Sequence, residues 1–447
     1  MTEQLQLLCT KAAKLIQTFP KKTKIRVVSH YDADGITSAA IICKALYRQG
    51  YNFHVTLMRN PFTKGMQRIK EEENELIIFS DMGSAQIEII ETLGPPAIII
   101  DHHQYLAKET REDIIQINAN QCGIDGNYET CGATLSYSFA LALNPENKDL
   151  IVYALAGAVG DKQHIGGIKG YNKTLLENAL KKGFIKEKIG VKLTGENISE
   201  ALFYSIDPYY KHLSGKKEEI QKILTKLNIN PSMQPENIEE KQKIQLQSYL
   251  IFNLIKTGVQ KNILDTVVRK RYISDILGCE LEQYADLLDA CGKGNHRGLA
   301  LSVILGDKDA LTQASQVQQK YRNKILDALI SLEKEGIHEL QAMRYFHSDE
   351  SSLGGVICGI AVNYLTDEQK PLFSIARKKD EIHVSCRGNQ ELVKKGLDLG
   401  GGLKIVTKDI GGHGGGHKIA AGATIDGGKE EIFLKKIDET LNKQIKR

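Results

Sequence analysis

The chain has 447 residues, of which 41% are apolar and 26% are charged. This length allows two or three domains, and the composition is that of a globular protein rather than a disordered or fibrous one. The formal net charge of +4 neither requires nor excludes a polyanionic partner. The opening MTEQLQLLCTKAAK lacks a signal-peptide pattern, no apolar run approaches the length of a membrane span, and the eight cysteines include no CxxC pair. We therefore expect a cytoplasmic protein with reduced thiols and no membrane partner.

The N-terminal third alternates short apolar runs with helical patterns, which indicates an α/β domain with a parallel sheet. We place this domain at residues 1–190. The apolar runs predict strands at 24–30, 51–58, 75–81 and 96–101, and the helical patterns predict helices at 36–50, 132–143 and 149–160.

Residues 191–335 are polar and helical in pattern, with few strand signals. The long helix predicted at 310–336 either connects two lobes or is an ordinary surface helix. The basic cluster at 269–271 either follows a nucleic-acid backbone or is a solvated helix face. Residues 336–447 form a second, smaller α/β domain, with a glycine-rich stretch at 399–425 and a final amphipathic helix. We expect it to face the first domain across a cleft.

Candidate metal ligands follow several apolar runs of the first domain. An Asp-Gly pair after a strand is more commonly a turn or a helix cap, and a single buried histidine is more commonly a core residue. Three adjacent ionisable groups directly after a β-branched strand are costly to desolvate, however. In an open parallel sheet, ligands collect outside the carboxyl ends of the strands, so these side chains are expected to converge. The candidates are His30, Asp32, Asp34, Asp81, Asp101, His102, His103 and Asp161.

The charge of this set predicts two divalent cations. Four aspartates packed together (Asp32, Asp34, Asp81 and Asp161) would repel one another and stay partly protonated unless cations neutralised them. Carboxylates with one or two imidazoles suit Mn²⁺ best, with Mg²⁺ as the alternative. Paired metals stabilise the attacking and leaving oxygens of an in-line displacement at phosphorus.

Four motifs in this order resemble the DHH phosphoesterase superfamily. They are HYDADG (30–35), SDMGS (80–84), IDHH (100–103) and GAVGDK (157–162). The C-terminal GGHGGGHKIAAG (411–422) resembles the glycine-rich signature of the DHHA1 domain. LLDACGKGNHRGLALSVILG (287–306) is similar to a stretch of the archaeal RecJ-like nucleases, which include the GINS-associated nucleases (GAN), with Asp289 in place of their asparagine.

The resemblance implies a role for each candidate residue. Asp32 and Asp81 would hold one metal, with His30 as a further candidate ligand, and Asp34, Asp81, His102 and Asp161 would hold the other. His103 would contact the scissile phosphate, and Asp101 would orient a ligand histidine. In the DHHA1 domain, backbone amides would form an anion nest and side chains would bind phosphate oxygens. The residues concerned are Gly414, Gly415, Gly416, His413, His417 and Arg387.

The function implied is a metal-dependent exonuclease that hydrolyses phosphodiester bonds of single-stranded DNA, or of RNA, in DNA replication or repair. Two alternatives remain. One is an oligoribonuclease or cyclic-dinucleotide phosphodiesterase of the DHH–DHHA1 type, and the other is a replication scaffold that binds the GINS complex and keeps nuclease activity. The motifs leave the polarity of degradation open.

Overall fold

The structure is a computed structural model that describes residues 2–59, 64–105, 111–367 and 369–445. The chain divides into two compact units. The N-terminal unit comprises Met1–Ile189 and Arg269–Lys320, and the C-terminal unit comprises Gly190–Val268 and Tyr321–Arg447. Among the described helices, none combines the length and hydropathy that crossing a membrane requires.

A five-stranded parallel sheet forms the centre of the N-terminal unit, which confirms the predicted sheet. Its order is β2-β1-β3-β4-β5, and every neighbouring pair is parallel. β3 and β4 are buried along their whole length, as expected for strands covered on both faces. β5 was not predicted. The strands are β1 (Lys24–His30), β2 (Asn52–Met58), β3 (Leu76–Ser80), β4 (Ala97–Asp101) and β5 (Ile114–Asn118).

Helices cover this sheet, and α2, α5 and α6 pack on one another within the main core cluster. α12 and α13 belong to the same unit, although 120 or more residues separate them from α6 in the chain, and both pack against α2. The helices of this unit up to residue 189 are α1 (Glu3–Gln17), α2 (Ala33–Arg48), α3 (Lys64–Glu71), α4 (Ile87–Glu91), α5 (Gly132–Leu143), α6 (Ile151–Gly160) and α7 (Gly170–Lys181); α12 is Leu281–Lys293 and α13 is Arg297–Leu305.

The middle of the chain also contains strands, which the sequence analysis missed. β6 (Lys186–Val191), β7 (Val268–Ser274) and β8 (Cys279–Glu280) form a three-stranded sheet. The basic cluster at 269–271 lies in β7, so the expectation of a helix face is wrong. Arg269 pairs with Glu282 and Arg271 with Glu280, both at 2.6 Å, because a half-buried strand needs partners for its guanidinium groups.

The C-terminal unit contains a helical part and a six-stranded mixed sheet of order β13-β14-β12-β11-β10-β9. α17 and α18 pack on one face of this sheet, and α15 packs against β11 and β12. The helices are α8 (Ile198–Phe203), α9 (Lys217–Lys226), α10 (Glu240–Lys256), α11 (Lys261–Val267), α14 (Lys308–Glu335, which contains the boundary at Lys320), α15 (Gly354–Tyr364), α16 (Gln390–Lys394), α17 (Leu399–Ile410) and α18 (Glu430–Gln444). The strands are β9 (His338–Glu339), β10 (Arg344–His347), β11 (Leu372–Lys378), β12 (Glu381–Arg387), β13 (Gly412–Gly416) and β14 (Ala420–Asp426).

Ile78 lies in the middle of β3 and is fully buried in the core cluster. We expect Ile78→Ala to lower the free energy of unfolding by about 2–5 kcal/mol, because it leaves a cavity between sheet and helices. Urea denaturation followed by circular dichroism measures this. The control Ile189→Ala changes a side chain that is 64% exposed and should have little effect; equal losses in both variants would contradict the assigned core.

Candidate metal centre

The candidate ligands gather where the strand order of the parallel sheet reverses. From β1 the chain passes to β2 on one side and then to β3 on the other, so a crevice opens between the carboxyl ends of β1 and β3. His30 ends β1, Asp81 directly follows β3, and Asp101 ends β4. The topology therefore brings together side chains that are far apart in sequence.

Asp32 has two roles. One carboxylate oxygen accepts a hydrogen bond from the Gly35 amide at 3.0 Å and caps α2. The other oxygen lies 2.8 Å from Nδ1 of His30. The helix-cap alternative of the sequence analysis is thus realised, and one oxygen still faces the cluster.

Asp81 occupies the centre of the cluster. Its backbone is left-handed, with φ of 54°, which few residues other than glycine adopt without cost. Its amide donates to the Ile100 carbonyl at 2.8 Å, which fixes this conformation against β4. The carboxylate is buried, 3.2 Å from Nε2 of His102 and 3.5 Å from Nδ1 of His30. Burial alone would raise the pKa of Asp81, but hydrogen bonds from His102 and His30 lower it below its usual range.

The contact between His102 and Asp81 calls for a cation or a proton. Nδ1 of His102 lies 2.6 Å from the Gly126 carbonyl, which can only accept, so Nδ1 carries the proton. In a neutral ring, Nε2 is then an acceptor, and it faces Oδ1 of Asp81, a second acceptor that is buried and has no other hydrogen-bond donor among the described residues. Burial would lower the pKa of His102, but the contact with Asp81 raises it well above its ordinary value. A proton on Nε2 would therefore bridge His102 and Asp81 when no cation lies between them.

Asp34 is held by the start of α5. Its two carboxylate oxygens accept from the amides of Gly132 and Ala133, each at 2.8 Å. A side chain at Gly132 would collide with Asp81, since a Cβ there would lie 2.7 Å from the Asp81 Cβ. Burial and the neighbouring Asp81 raise the pKa of Asp34 well above its ordinary value, against the opposing effect of His102.

Asp161 caps the end of α6 and closes the cluster on its solvent side. Desolvation by the surrounding protein raises the pKa of Asp161 to about 6; the charge of His102 opposes this shift and that of Asp81 reinforces it. Gln163, which the sequence analysis missed, donates to Asp161 at 2.8 Å and to the Gly126 carbonyl at 3.0 Å. Gln163 thereby links Asp161 to the carbonyl that orients His102.

Three groups of side chains among the described residues have ligand atoms within 4.8 Å of one another and could hold a metal ion. Each group combines carboxylate with imidazole, which suits Mn²⁺ or Mg²⁺, and the buried Oδ1 of Asp81, which lacks a donor among the described residues, fits a cation. Asp81 and His102 each occur in two groups, so the groups adjoin. They are His30 with Asp32 and Asp81, Asp34 with His102 and Asp161, and Asp81 with His102 and His103.

Asp101 contacts His103 and not the buried His102. Its Oδ1 lies 2.7 Å from Nδ1 of His103 and also accepts from the His103 amide at 3.1 Å. Its other oxygen accepts from the Ser84 amide at 2.9 Å. Burial would lower the pKa of His103, but Asp101 raises it, so the half-exposed ring can donate from Nε2.

Two arginines that were not predicted lie against the ring of Tyr31. The guanidinium carbons of Arg59 and Arg297 are each 5.7 Å from the centre of the Tyr31 ring, and Tyr31 separates the ligands His30 and Asp32 in the chain. A contact between residues so far apart in sequence leaves no local signal. These side chains place positive charge on the Tyr31 ring, whose centre lies 4.7 Å from that of the His30 ring.

The glycine-rich segment of the C-terminal unit is an edge strand and not the predicted anion nest. Gly412–Gly416 form β13, which pairs with β14 along its length. A Cβ at Gly414 would lie 2.9 Å from the Thr407 side chain of α17, so this glycine allows helix and strand to approach. Gly416 has a positive φ of 137°, a backbone conformation that favours glycine. At Gly415, an added Cβ would meet no heavy atom within 4 Å, so the backbone there is open.

His413, Gly415 and Arg387 share one face of the C-terminal sheet, because residues directly opposite on paired strands point the same way. His413 is opposite Thr424, which is opposite His383, and Arg387 is opposite Ala420. Arg387 is therefore four residues, or about 13 Å, from the row of His413. The amide of His417 donates to the Ala420 carbonyl at 2.8 Å, which puts His417 at the Arg387 end. All of these predicted residues lie in the C-terminal unit, and all of the candidate metal ligands lie in the N-terminal unit.

Two relatives illustrate the similarity in sequence. An uncharacterised protein of Methanocaldococcus jannaschii is 28% identical over 430 residues, which cover 95% of this chain and 94% of the relative. The single-stranded-DNA-specific exonuclease RecJ of Bacillus subtilis is 27% identical over 210 residues, which cover 42% of this chain and 26% of that enzyme. The RecJ similarity thus concerns about a quarter of a longer protein.

Solved structures share the fold over nearly the whole chain. CDC45 from Entamoeba histolytica is 13% identical with a TM-score of 0.68, and the match covers 98% of both chains. RecJ from Thermus thermophilus in complex with Mn²⁺ is 16% identical with a TM-score of 0.61, and the match covers 99% of this chain and 55% of RecJ.

Family models match both parts of the chain in which motifs were found. Residues 24–159 match the N-terminal domain of the DHH family, and residues 342–443 match the DHHA1 domain. The first range holds the candidate ligands from His30 to His103, and the second holds the edge strand β13. The chain is a RecJ-like member of the DHH phosphoesterase superfamily.

Proposed function

We propose that this protein is an exonuclease that hydrolyses phosphodiester bonds of single-stranded nucleic acid with two divalent metal ions, most favourably Mn²⁺. The arrangement of Asp81 and His102 carries the proposal. Two buried acceptors 3.2 Å apart, within a group of four aspartates, form a site that a divalent cation would stabilise. The Mn²⁺ bound in RecJ from Thermus thermophilus, which has the same fold, supports this choice of ion.

The proposed ligands divide between two positions. His30, Asp32 and Asp81 would hold one ion, and Asp34, Asp81, His102 and Asp161 the other. Bound ions would supply positive charge that activates water and neutralises the negative charge that develops on the phosphoryl and leaving-group oxygens. Backbone amides and Gln163 hold Asp34 and Asp161 in place, so the ligands need little rearrangement on binding.

The remaining side chains of the site would bind and orient the substrate. Asp101 keeps His103 protonated at Nδ1, and the half-exposed ring would donate from Nε2 to a phosphate oxygen. Arg59 and Arg297 would neutralise phosphates next to the scissile one. In the C-terminal unit, we assign further phosphate contacts to Arg387, His413, His417 and the open backbone at Gly415.

Two alternatives come from the sequence analysis. One acts on a smaller substrate, and the other has binding to replication proteins as a main role. A phosphodiesterase for short oligonucleotides or cyclic dinucleotides would use the same metal centre. The fold shared with CDC45 fits a role among replication proteins, including a GINS-binding scaffold with nuclease activity. The complete set of four aspartates and two candidate ligand histidines favours an active enzyme, because a scaffold has no use for four carboxylates that repel one another.

Asp81→Asn tests the metal centre, because asparagine tolerates the left-handed backbone but loses the charge. We expect the rate of cleavage to fall by more than about 10²-fold. That factor is the upper end of the loss on substituting a residue that only contacts a metal ligand, whereas Asp81 is itself a proposed ligand. DNA and RNA strands labelled at either end, incubated with Mn²⁺ and resolved on a gel, measure the rate, the polarity and the preferred polymer.

The matched control for this experiment is Asp113→Asn. Asp113 is a partly exposed aspartate that pairs with Arg111 and precedes β5, at the opposite end of the sheet. Full activity in Asp81→Asn, or equal losses in both variants, would contradict the proposed centre. Faster turnover of a dinucleotide than of a long strand by the wild type would favour the small-substrate alternative.

Metal binding should weaken as the pH falls. The pKa of Asp161 is raised to about 6, and the pKa values of Asp34 and His102 are also raised, so these groups hold protons that a cation must displace. We expect the affinity for Mn²⁺ to fall as the pH decreases, by about tenfold per pH unit for each proton displaced, with the contribution of Asp161 appearing as the pH falls through about 6. Isothermal titration calorimetry in buffers of different ionisation enthalpy counts these protons, and an affinity independent of pH would contradict the assignment.

A further inference from the structure

The N-terminal end of α2 carries the motif HYDADG and is in contact with a helix from a distant part of the chain. α12 comes from the segment Arg269–Lys320, which follows the residues matched by the DHH family model but belongs to the same compact unit. Its final turns adjoin Tyr31 and Ala33, the residues that alternate with His30, Asp32 and Asp34.

A hydrogen bond joins the two elements directly. Oδ1 of Asp289 accepts from the Ala33 amide at 2.8 Å. Ala33 is the first residue of α2, so its amide has no acceptor within the helix, and Asp289 supplies one. Oδ2 of Asp289 lies 2.5 Å from Nζ of Lys293, which leaves the carboxylate anchored at both ends.

Close packing leaves little freedom at this contact. A Cβ at Gly292 would lie 1.9 Å from the Tyr31 carbonyl oxygen, so α12 touches the backbone of the motif. A Cβ at Gly160, the residue before Asp161, would lie 2.6 Å from the Ala33 methyl group and 3.6 Å from that of Ala285 in α12. Ala33 is therefore enclosed between the end of α6 and α12.

We propose that Asp289 is a positioning residue for the metal centre: by holding the Ala33 amide, it fixes the backbone from which Asp32 and Asp34 extend. This inference rests on the proposed function, since it assumes that those aspartates bind cations. Ala33 lies between the two aspartates, so a shift of its backbone would displace the Cα atoms from which both carboxylates extend. Among the described residues, Asp289 bonds to Ala33 and Lys293 and not to a candidate ligand, so it acts through the backbone.

The test compares Asp289→Ala with the conservative Asp289→Asn in the full chain. An asparagine oxygen can still accept from Ala33 but cannot form an ion pair with Lys293. We expect Asp289→Ala to weaken Mn²⁺ binding roughly 10–100-fold and Asp289→Asn to stay close to the wild type. Isothermal titration with Mn²⁺ measures the affinity. Asp275→Ala serves as the control, because Asp275 lies in the same segment as Asp289 and its substitution removes an exposed ion pair with Lys186.

Hydrogen exchange of the amides between Tyr31 and Ile36, measured without metal, provides an independent readout. Exchange should accelerate in Asp289→Ala and return toward the wild-type rate in Asp289→Asn. Unchanged exchange and affinity in Asp289→Ala, or equal loss in both variants, would overturn the positioning role. If the wild type itself binds no Mn²⁺, the proposed function fails together with this inference, whereas normal wild-type binding with no effect of Asp289→Ala overturns the inference alone.

Discussion

Repulsion among carboxylates at the carboxyl edge of the parallel sheet is the constraint that organises the N-terminal unit. Asp34 and Asp81 are buried, and Asp32 and Asp161 adjoin them, where a low dielectric strengthens repulsion between like charges. The raised pKa values of His30 and His102 favour their charged forms, and the raised pKa values of Asp34 and Asp161 favour their neutral forms, so bound protons counter that repulsion. Cations would offset it more completely, and the same charge that weakens the fold would then provide the binding energy for the metal.

The surrounding scaffold holds three of the acidic side chains by backbone amides, which do not themselves titrate. Amides at the start of α5 hold Asp34, the Gly35 amide holds Asp32, and the Ser84 amide holds Asp101. Backbone donors stabilise carboxylates without adding a cationic side chain that would compete with a metal ion. This arrangement explains why so much of the core, from α5 to α12, packs around a few polar side chains near the switch point of the sheet.

The sequence predicted the part of the site that depends on local pattern. The β-branched runs ending at His30, at Asp81 and at Asp101 identify strands, and the rule that ligands collect at the carboxyl ends of parallel strands brings them together. Asp289 and Gln163 could not be assigned in this way, because their contacts with Ala33 and Asp161 depend on tertiary packing. The glycines of β13 have no side chains to show the alternation of a strand, and the mixed charge of β7 resembles a solvated helix, so both elements were missed. Asp101 was expected to orient a ligand histidine, whereas the geometry pairs it with His103, because the Gly126 carbonyl already occupies Nδ1 of His102.

The two compact units divide the proposed work, with candidate metal ligands in one and candidate phosphate contacts, on the sheet face that carries His413 and Arg387, in the other. The number of metal ions bound decides whether the N-terminal unit is built for catalysis at phosphorus. Equilibrium dialysis of the wild-type chain against Mn²⁺ at neutral pH, followed by elemental analysis, measures it directly. The account predicts two ions per chain; a chain that binds none, or only one at saturation, would contradict it.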